Sequence, residues 1–548
     1  MTAKKSHFVL EGKIVDIVNR RIFKGRVHAK NGKIVKITET DVPSNVYLLP
    51  GLIDAHVHIE SSMLIPSEFA RLAVPHGTVA TVSDPHEIAN VLGYDGVRFM
   101  IENGKRVPFK FFFGAPSCVP ATPFESAGAV IDSGEIEKLM QDKDIYYLAE
   151  MMNFPGVLHK DDEVMKKLAA ARKYQKPVDG HAPGLKGDDA RAYAAAGIST
   201  DHECFTMEEA LDKIDAGMKI QIREGSAAKN FDALIDLVKT HPDKVMFCSD
   251  DKHPDNLTDS HINKLVAKAI NLGYDEFDVL RAAILNPKEH YNLPTGLLRV
   301  GDPADVIVVD RLDQFNVLET YIDGQLVAMD GQTKIETVST QIPNHFQAKP
   351  LRKEQLQVKP QGDRMRVIKA IDGQLVTESF SVAPKIKDGL VVSDTDRDIL
   401  KLVVLNRYTD TPPAIAFINK FQLKQGAIAS SVAHDSHNII AVGADDESIV
   451  AAVNEVIKHK GGVSCTREGV TDILPLPVAG IMSDANGYWV AEQYAQMDQK
   501  AKSLGSMLGA PYMTLAFMAL LVIPALKLSD KGLFDGIKFQ FENLFYAE

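Results

Sequence analysis

The sequence predicts an α/β fold: a TIM-like (β/α)8 barrel, a small β-sandwich domain split around it, and a C-terminal α/β domain. Three observations predict it. Residues 51–295 alternate eight strand-like apolar segments with helical stretches, the order and size of a closed parallel barrel. Strand-rich pieces at 1–50 and 296–345 flank that section, so both ends contribute to one small β unit. Strands and helices then resume over 365–548, after a polar and basic stretch, KPLRKEQLQVKPQGD.

Composition agrees with this layout. At roughly 150 residues per domain, a chain of 548 residues argues for about three domains. Hydrophobic residues make up 45% and charged residues 24%, which excludes a disordered, collagen-like or disulfide-stapled chain. The net charge of −12 argues against binding nucleic acid through a general basic field. The four cysteines (118, 204, 248 and 465) form no CxxC pair. Neither a zinc ribbon nor a thioredoxin-like site is expected, and reduced thiols point to the cytoplasm.

The N-terminus, MTAKKSHFVLEGKIVDI, has no long apolar run after its lysines and is not expected to be a signal peptide. FVLEGKIVDI, RIFKGRVHAKNGKIVKIT and NVYLLP read as strands, with Asn31-Gly32 as a hairpin turn. The expected barrel strands are LIDAHVH, VATVSD, FKFFFGA, IYYLAEMM, PVDGHA, IST-DHE, KIQIREG and VMFCSDD. DDEVMKKLAAARKYQ and GDDARAYAAAG are among the helices between them, and DDESIVAAVNEVIKHKGG is a helix of the last domain. The stretch from Pro511 to Leu526 is apolar but short for a membrane span, and Pro524 interrupts it. It is expected to be buried core, with no membrane partner.

His56 and His58 lie at i, i+2 on the first barrel strand, on one face. Alone, two packing histidines explain that pair equally well. Glu150, His181, His202 and Asp250 then fall at the ends of strands four, five, six and eight. Four imidazoles and two carboxylates suit zinc, iron or manganese. Six donors exceed one tetrahedral site and suit two metals, with Glu150 able to bridge through both oxygens.

PGLIDAHVH, the later strand-end ligands and the flanking split β unit resemble the amidohydrolase superfamily. Many of its binuclear members bridge the metals with a carboxylated lysine on strand four. This chain has Glu150 and no lysine on that strand, which weakens the hydantoinase and dihydroorotase readings. A closer resemblance is to the bacterial adenine deaminase family. DAHVHIESSML (54–64), VSDPHEIANVLG (82–93), AEMMNFPGV (149–157), GHAPGL (180–185), DHE (201–203), REGS (223–226) and CSDD (248–251) carry it. GAIASSVAHDSHNIIAVG (426–443) and LPLPVAGIMS extend it over nearly the whole chain.

The resemblance implies a metal-dependent hydrolase that deaminates adenine to hypoxanthine and ammonia. It implies two divalent metals, manganese or iron ahead of zinc, and a homo-oligomer, dimer or larger. Asp250 would serve as metal ligand and general base, with Glu203, Glu87 and His86 as candidate proton donors to the ring. Asp84, Arg223 and Asp251 are candidate substrate contacts, although a structural turn suits Asp84 and a buried salt bridge suits Arg223. Asp251 also suits support behind the metals, and His253 reads as a loop residue. His434 and His437 suit a loop at the mouth of the site, and Cys204 and Cys248 small core residues. The other enzyme reading is an amidohydrolase acting on a cyclic amide or N-acyl substrate. A metal-free scaffold and a purine nucleoside substrate are further alternatives. The separate zinc deaminase fold needs P-C-x-x-C, which this chain lacks.

Overall fold

The computed structural model describes residues 7–546. Residues 1–6, where the segment expected not to be a signal peptide begins, lie outside the described residues. So do 547 and 548, the end of the expected C-terminal domain.

Strands His7–Asp16, Arg21–Lys30, Lys33–Glu39 and Tyr47–Pro50 join Val306–Val309, Val317–Ile322, Gln325–Met329 and Gln332–Thr333 in one eight-stranded sheet. The two halves meet where Tyr47–Pro50 pairs antiparallel with Val306–Val309. Asn31 and Gly32 take φ of 52° and 80°, the left-handed turn that matches hairpin twist. The two layers of the expected sandwich belong to this single sheet. It curls over Ile14, Val27, Leu48 and Val306, so that Phe8 stacks on Tyr321 from a strand that is not its neighbour.

All eight expected barrel strands form: Leu52–His58, Thr78–Ser83, Lys110–Ala115, Ile145–Met151, Val178–Gly180, Thr200–Asp201, Lys219–Arg223 and Val245–Cys248. The eighth resumes as Asp250–Asp251, which pairs parallel with Val57 and His58 of the first. Every residue of Leu52–His58 is buried, as expected for a parallel strand covered on both faces. The ladder is interrupted between strands five and six. There Ser199 N–H donates to Val178 O (2.9 Å) and Thr200 Oγ1 to Asp179 Oδ1 (2.8 Å).

Helix Asp162–Lys173 starts on Asp161, whose side chain accepts from the Glu163 and Val164 amides. It buries Val164, Leu168 and Ala171.

After the barrel, the KPLRKEQLQVKPQGD stretch lies along the next unit rather than apart from it. Leu351 and Leu356 are buried, and Leu351 N–H donates to Asn454 Oδ1 (2.7 Å). A second eight-stranded sheet, mostly antiparallel, runs from Met365 to Pro475. Helix Asp446–Lys458 covers one face through Ile449, Val453 and Val456. The other face joins the barrel's own core, with Leu64 and Phe69 in one buried cluster with Met482, Tyr494 and Met513.

The apolar stretch 511–526 is buried, as expected. It forms helix Pro511–Phe517, then turns that lead into strand Leu526–Ser529. Among the described residues, no helix is long and apolar enough to cross a membrane.

Candidate metal centre

The six expected ligands converge at the C-terminal ends of the barrel strands, and all are buried. His56 and His58 bring their Nε2 atoms to 3.2 Å from each other. His58 Nδ1 faces Asp84 O (3.2 Å), which favours the tautomer with a free lone pair on Nε2. That Nε2 lies 3.4 Å from Glu150 Oε1 and 3.3 Å from Asp250 Oδ1. Glu150 Oε2 turns the other way, 2.9 Å from His181 Nδ1 and 3.1 Å from His202 Nε2. Each oxygen of Glu150 therefore faces a different group of histidines.

So many acceptors at one point are mutually repulsive unless cations lie between them. Charges in the protein alone redistribute accordingly. Burial, with His202 and His58 alongside, holds His56 well below the ordinary imidazole value. Burial also opposes protonation of His58, but Asp250 and Glu150 outweigh it and raise His58 well above that value. Burial is likewise outweighed at His181, where Glu203 and Glu150 raise it to about 9. Burial would raise Glu150, yet His181 and His202 hold it well below the usual carboxylate range. Protons in the protein do what divalent cations do once bound, since metal binding displaces them from ligands. The donor set therefore fits divalent metal binding.

A layer of polar side chains fixes these ligands. Asp54 Oδ1 accepts from Ser249 N–H (3.0 Å), and its Oδ2 faces His261 Nε2 (2.8 Å). This holds the break in strand eight, where Asp250 adopts φ of 54° and turns its carboxylate toward the histidines. Asp201 accepts from the Ala182 and Glu203 amides (3.0 and 2.8 Å) and pairs with buried Lys213 (3.2 Å). It thereby ties the turns after His181 and His202 together. Asn230 donates to His202 O (3.0 Å).

Of the remaining expected residues, His86, Glu87, Glu203 and Asp251 line the cavity over the cluster. His86 Nδ1 lies 3.1 Å from Asp84 Oδ2 and 3.3 Å from Glu150 Oε1. Asp84 and Arg223 are not among the residues that line this cavity, and both are engaged by neighbouring side chains. Arg223 Nη1 bonds Glu203 Oε1 and Asp250 Oδ2, and Nη2 bonds Glu203 Oε2 (3.0 Å). Those bonds tie the guanidinium to two carboxylates that line the cavity. Asp84 is taken up by His86, through its backbone N–H (3.0 Å) and its ring.

The C-terminal unit closes the site. His434 Nδ1 and His437 Nε2 lie 2.9 and 3.1 Å from the two oxygens of Glu87. Leu375, Phe517 and Leu520 form an apolar wall with Met152, facing the charged floor. An apolar wall opposite a few convergent polar groups suits a flat, partly polar ring. His434 and His437 were visible in the sequence as a loop at the mouth. Asp435, Ser61 and the apolar wall were not singled out. Ser61 Oγ bonds Asp251 Oδ1, and only its place in the HIESSM string marked it. His253 packs on Tyr494, as a loop residue would (ring centroids 4.5 Å apart).

Two family models match the chain: the amidohydrolase family over residues 47–327 and the adenine deaminase C-terminal domain over 374–540. The chain is 56% identical to adenine deaminase of Salinibacter ruber, over 98% of this chain and 99% of that protein. It is 53% identical to adenine deaminase of Methanosarcina mazei, with the same coverage. The Borreliella burgdorferi adenine deaminase is 47% identical over 97% of this chain and 99% of its own length. Identity at this level, over essentially the full length, means that the chain belongs to the adenine deaminase family of amidohydrolases.

Proposed function

We propose that this protein hydrolyses adenine to hypoxanthine and ammonia, in purine salvage. The observation that carries the proposal is the full-length similarity to proteins named adenine deaminase. The names of the relatives above give no support to hydrolysis of a cyclic amide or N-acyl substrate.

Two divalent metals would be held by His56, His58, Asp250, His181 and His202, with Glu150 between them. Manganese or iron suits this imidazole and carboxylate set, and zinc is compatible with it. When bound, they supply a hydroxide nucleophile at neutral pH and stabilise developing negative charge. Asp250 accepts from Arg223 through Oδ2, so its Oδ1, on the histidine side, would both help to hold metal and act as the general base that passes a proton to the departing amine. Glu203 accepts from Arg223 through both oxygens, so it suits receiving a hydrogen bond from a ring N–H. Glu87 is engaged through both oxygens by His434 and His437. Among His86, Glu87 and Glu203, that leaves His86 to protonate the ring. Its Nε2 is 3.8 Å from Asp435 Oδ1 at the cavity edge. Asp251, held by Ser61 Oγ, suits a substrate contact.

We propose three domains as well: 1–50 with 296–345, the catalytic barrel 51–295, and 365–548. Four buried, unpaired cysteines support a reducing cytoplasmic location. Exposed Ile537 and Phe539 on one turn, with Phe541 on the short strand after it, support a homo-oligomer, dimer or larger. Ammonia release by metal-loaded protein tests the central reading. Adenine should release ammonia, and a hydantoin should not be opened. Ring opening without ammonia release from adenine would overturn it.

A further inference from the structure

A second cavity, of about 280 Å³, opens between the loops after the seventh and eighth barrel strands. Four lysines line it (229, 252, 264 and 268) against two carboxylates, Glu224 and Asp259. The chain as a whole has net charge −12, so this is a local reversal of sign. Three of the lysines have partners. Lys268 pairs with Asp232 (2.8 Å) and Glu224 (3.4 Å), Lys229 lies 3.7 Å from Glu224, and Lys264 reaches Gln314 O (3.4 Å).

Lys252 differs. It is only 5% exposed and lines the cavity, yet its ammonium makes no hydrogen bond or ion pair among the described residues. An ammonium with three donors and no protein acceptor, facing the cavity from a side chain that is otherwise buried, is placed to meet an anion there. Barrel enzymes often place phosphate sites in the loops after these two strands.

We infer that this cavity is an anion site for a phosphate group, free or carried on a small monoester, with Lys252 as the buried contact and Lys229 and Lys264 at the rim. Lysine binds phosphate as a point charge with several rotatable donors. The cavity is separate from the one over the metal ligands but shares a strut with it. Lys252 directly follows Asp251, Ser226 N–H donates to Asp251 O (2.8 Å), and His253 N–H donates to Ser226 Oγ (2.8 Å). An anion gripping both loops would brace the segment that carries Asp250 and Asp251.

Calorimetric titration of the metal-loaded protein with inorganic phosphate, and separately with ribose 5-phosphate, at constant ionic strength, tests the inference. Saturable binding of one anion per chain is expected, with a rise in melting temperature. Tighter binding of the sugar phosphate would identify a monoester site, and equal binding a site for the free ion. Lys252→Met and the rim variant Lys229→Ala/Lys264→Ala should each weaken binding by about tenfold or more, as loss of a charged contact predicts. The rim variant keeps the test valid if Lys252→Met does not fold. Phosphate bound at the metals instead would be insensitive to the rim substitutions. That result, or no saturable binding up to about 20 mM, would overturn the inference.

Discussion

Asp54 shows how one residue sets the geometry of the centre without belonging to it. It holds the Ser249 amide and faces His261, and so fixes the break that aims Asp250. Removing such a support typically costs about 10- to 100-fold in metal affinity. Asp54→Ala should therefore bind metal more weakly by that factor, measured by competition with a chelator, while circular dichroism stays unchanged. Unaltered affinity would show that Asp250 is positioned some other way. At this scale the convergence of the six expected ligands was legible, because each ends a barrel strand and the topology brings those ends together. Asp84 and Arg223 come at strand ends too, but strand position does not tell a residue that lines the cavity from one engaged by its neighbours. The partners decide, and Arg223 is claimed by Glu203 and Asp250.

The element that closes the site is the apolar stretch 511–526. Its composition announced burial, but nothing in its pattern said that Phe517 and Leu520 would face a metal centre. Lys527, just beyond, holds this wall from behind by donating to Leu375 O (2.6 Å) and Phe517 O (2.9 Å). Burial lowers this lysine from 10.5 to about 7. Between those values the folded chain carries a neutral amine while the unfolded chain binds a proton. Folding stability from this group thus rises as pH increases through that window and is lost as pH falls through about 7. Lys527→Met removes the titration. Melting curves of the two proteins should diverge in favour of the wild type as pH rises from about 7 toward 10. A difference independent of pH would mean that Lys527 stays charged in the fold. Elsewhere the strands were legible as buried apolar runs. The interrupted ladder between strands five and six was not, because side-chain bonds such as Thr200 to Asp179 close it.

In the whole molecule, the order of the parts was readable from composition, but of their mutual contact only the loop of His434 and His437 at the mouth of the site was expected. The barrel and the C-terminal unit share one core, and His434 and His437 reach across to Glu87. Contacts between segments so distant in sequence leave no local periodicity to detect. They make the site a joint product of two parts of the chain, with ligands from the barrel and an apolar cover from the C-terminal unit. The account as a whole rests on Glu150 serving two cations through its two oxygens. The direct test is metal content per chain, measured together with ammonia release from adenine, in wild type and Glu150→Gln. The substitution keeps the size of the side chain but removes its charge and one acceptor oxygen. Metal content should fall from about two per chain toward one, and ammonia release should drop by about a hundredfold or more. Unchanged metal content and unchanged ammonia release in Glu150→Gln would contradict the bridging role.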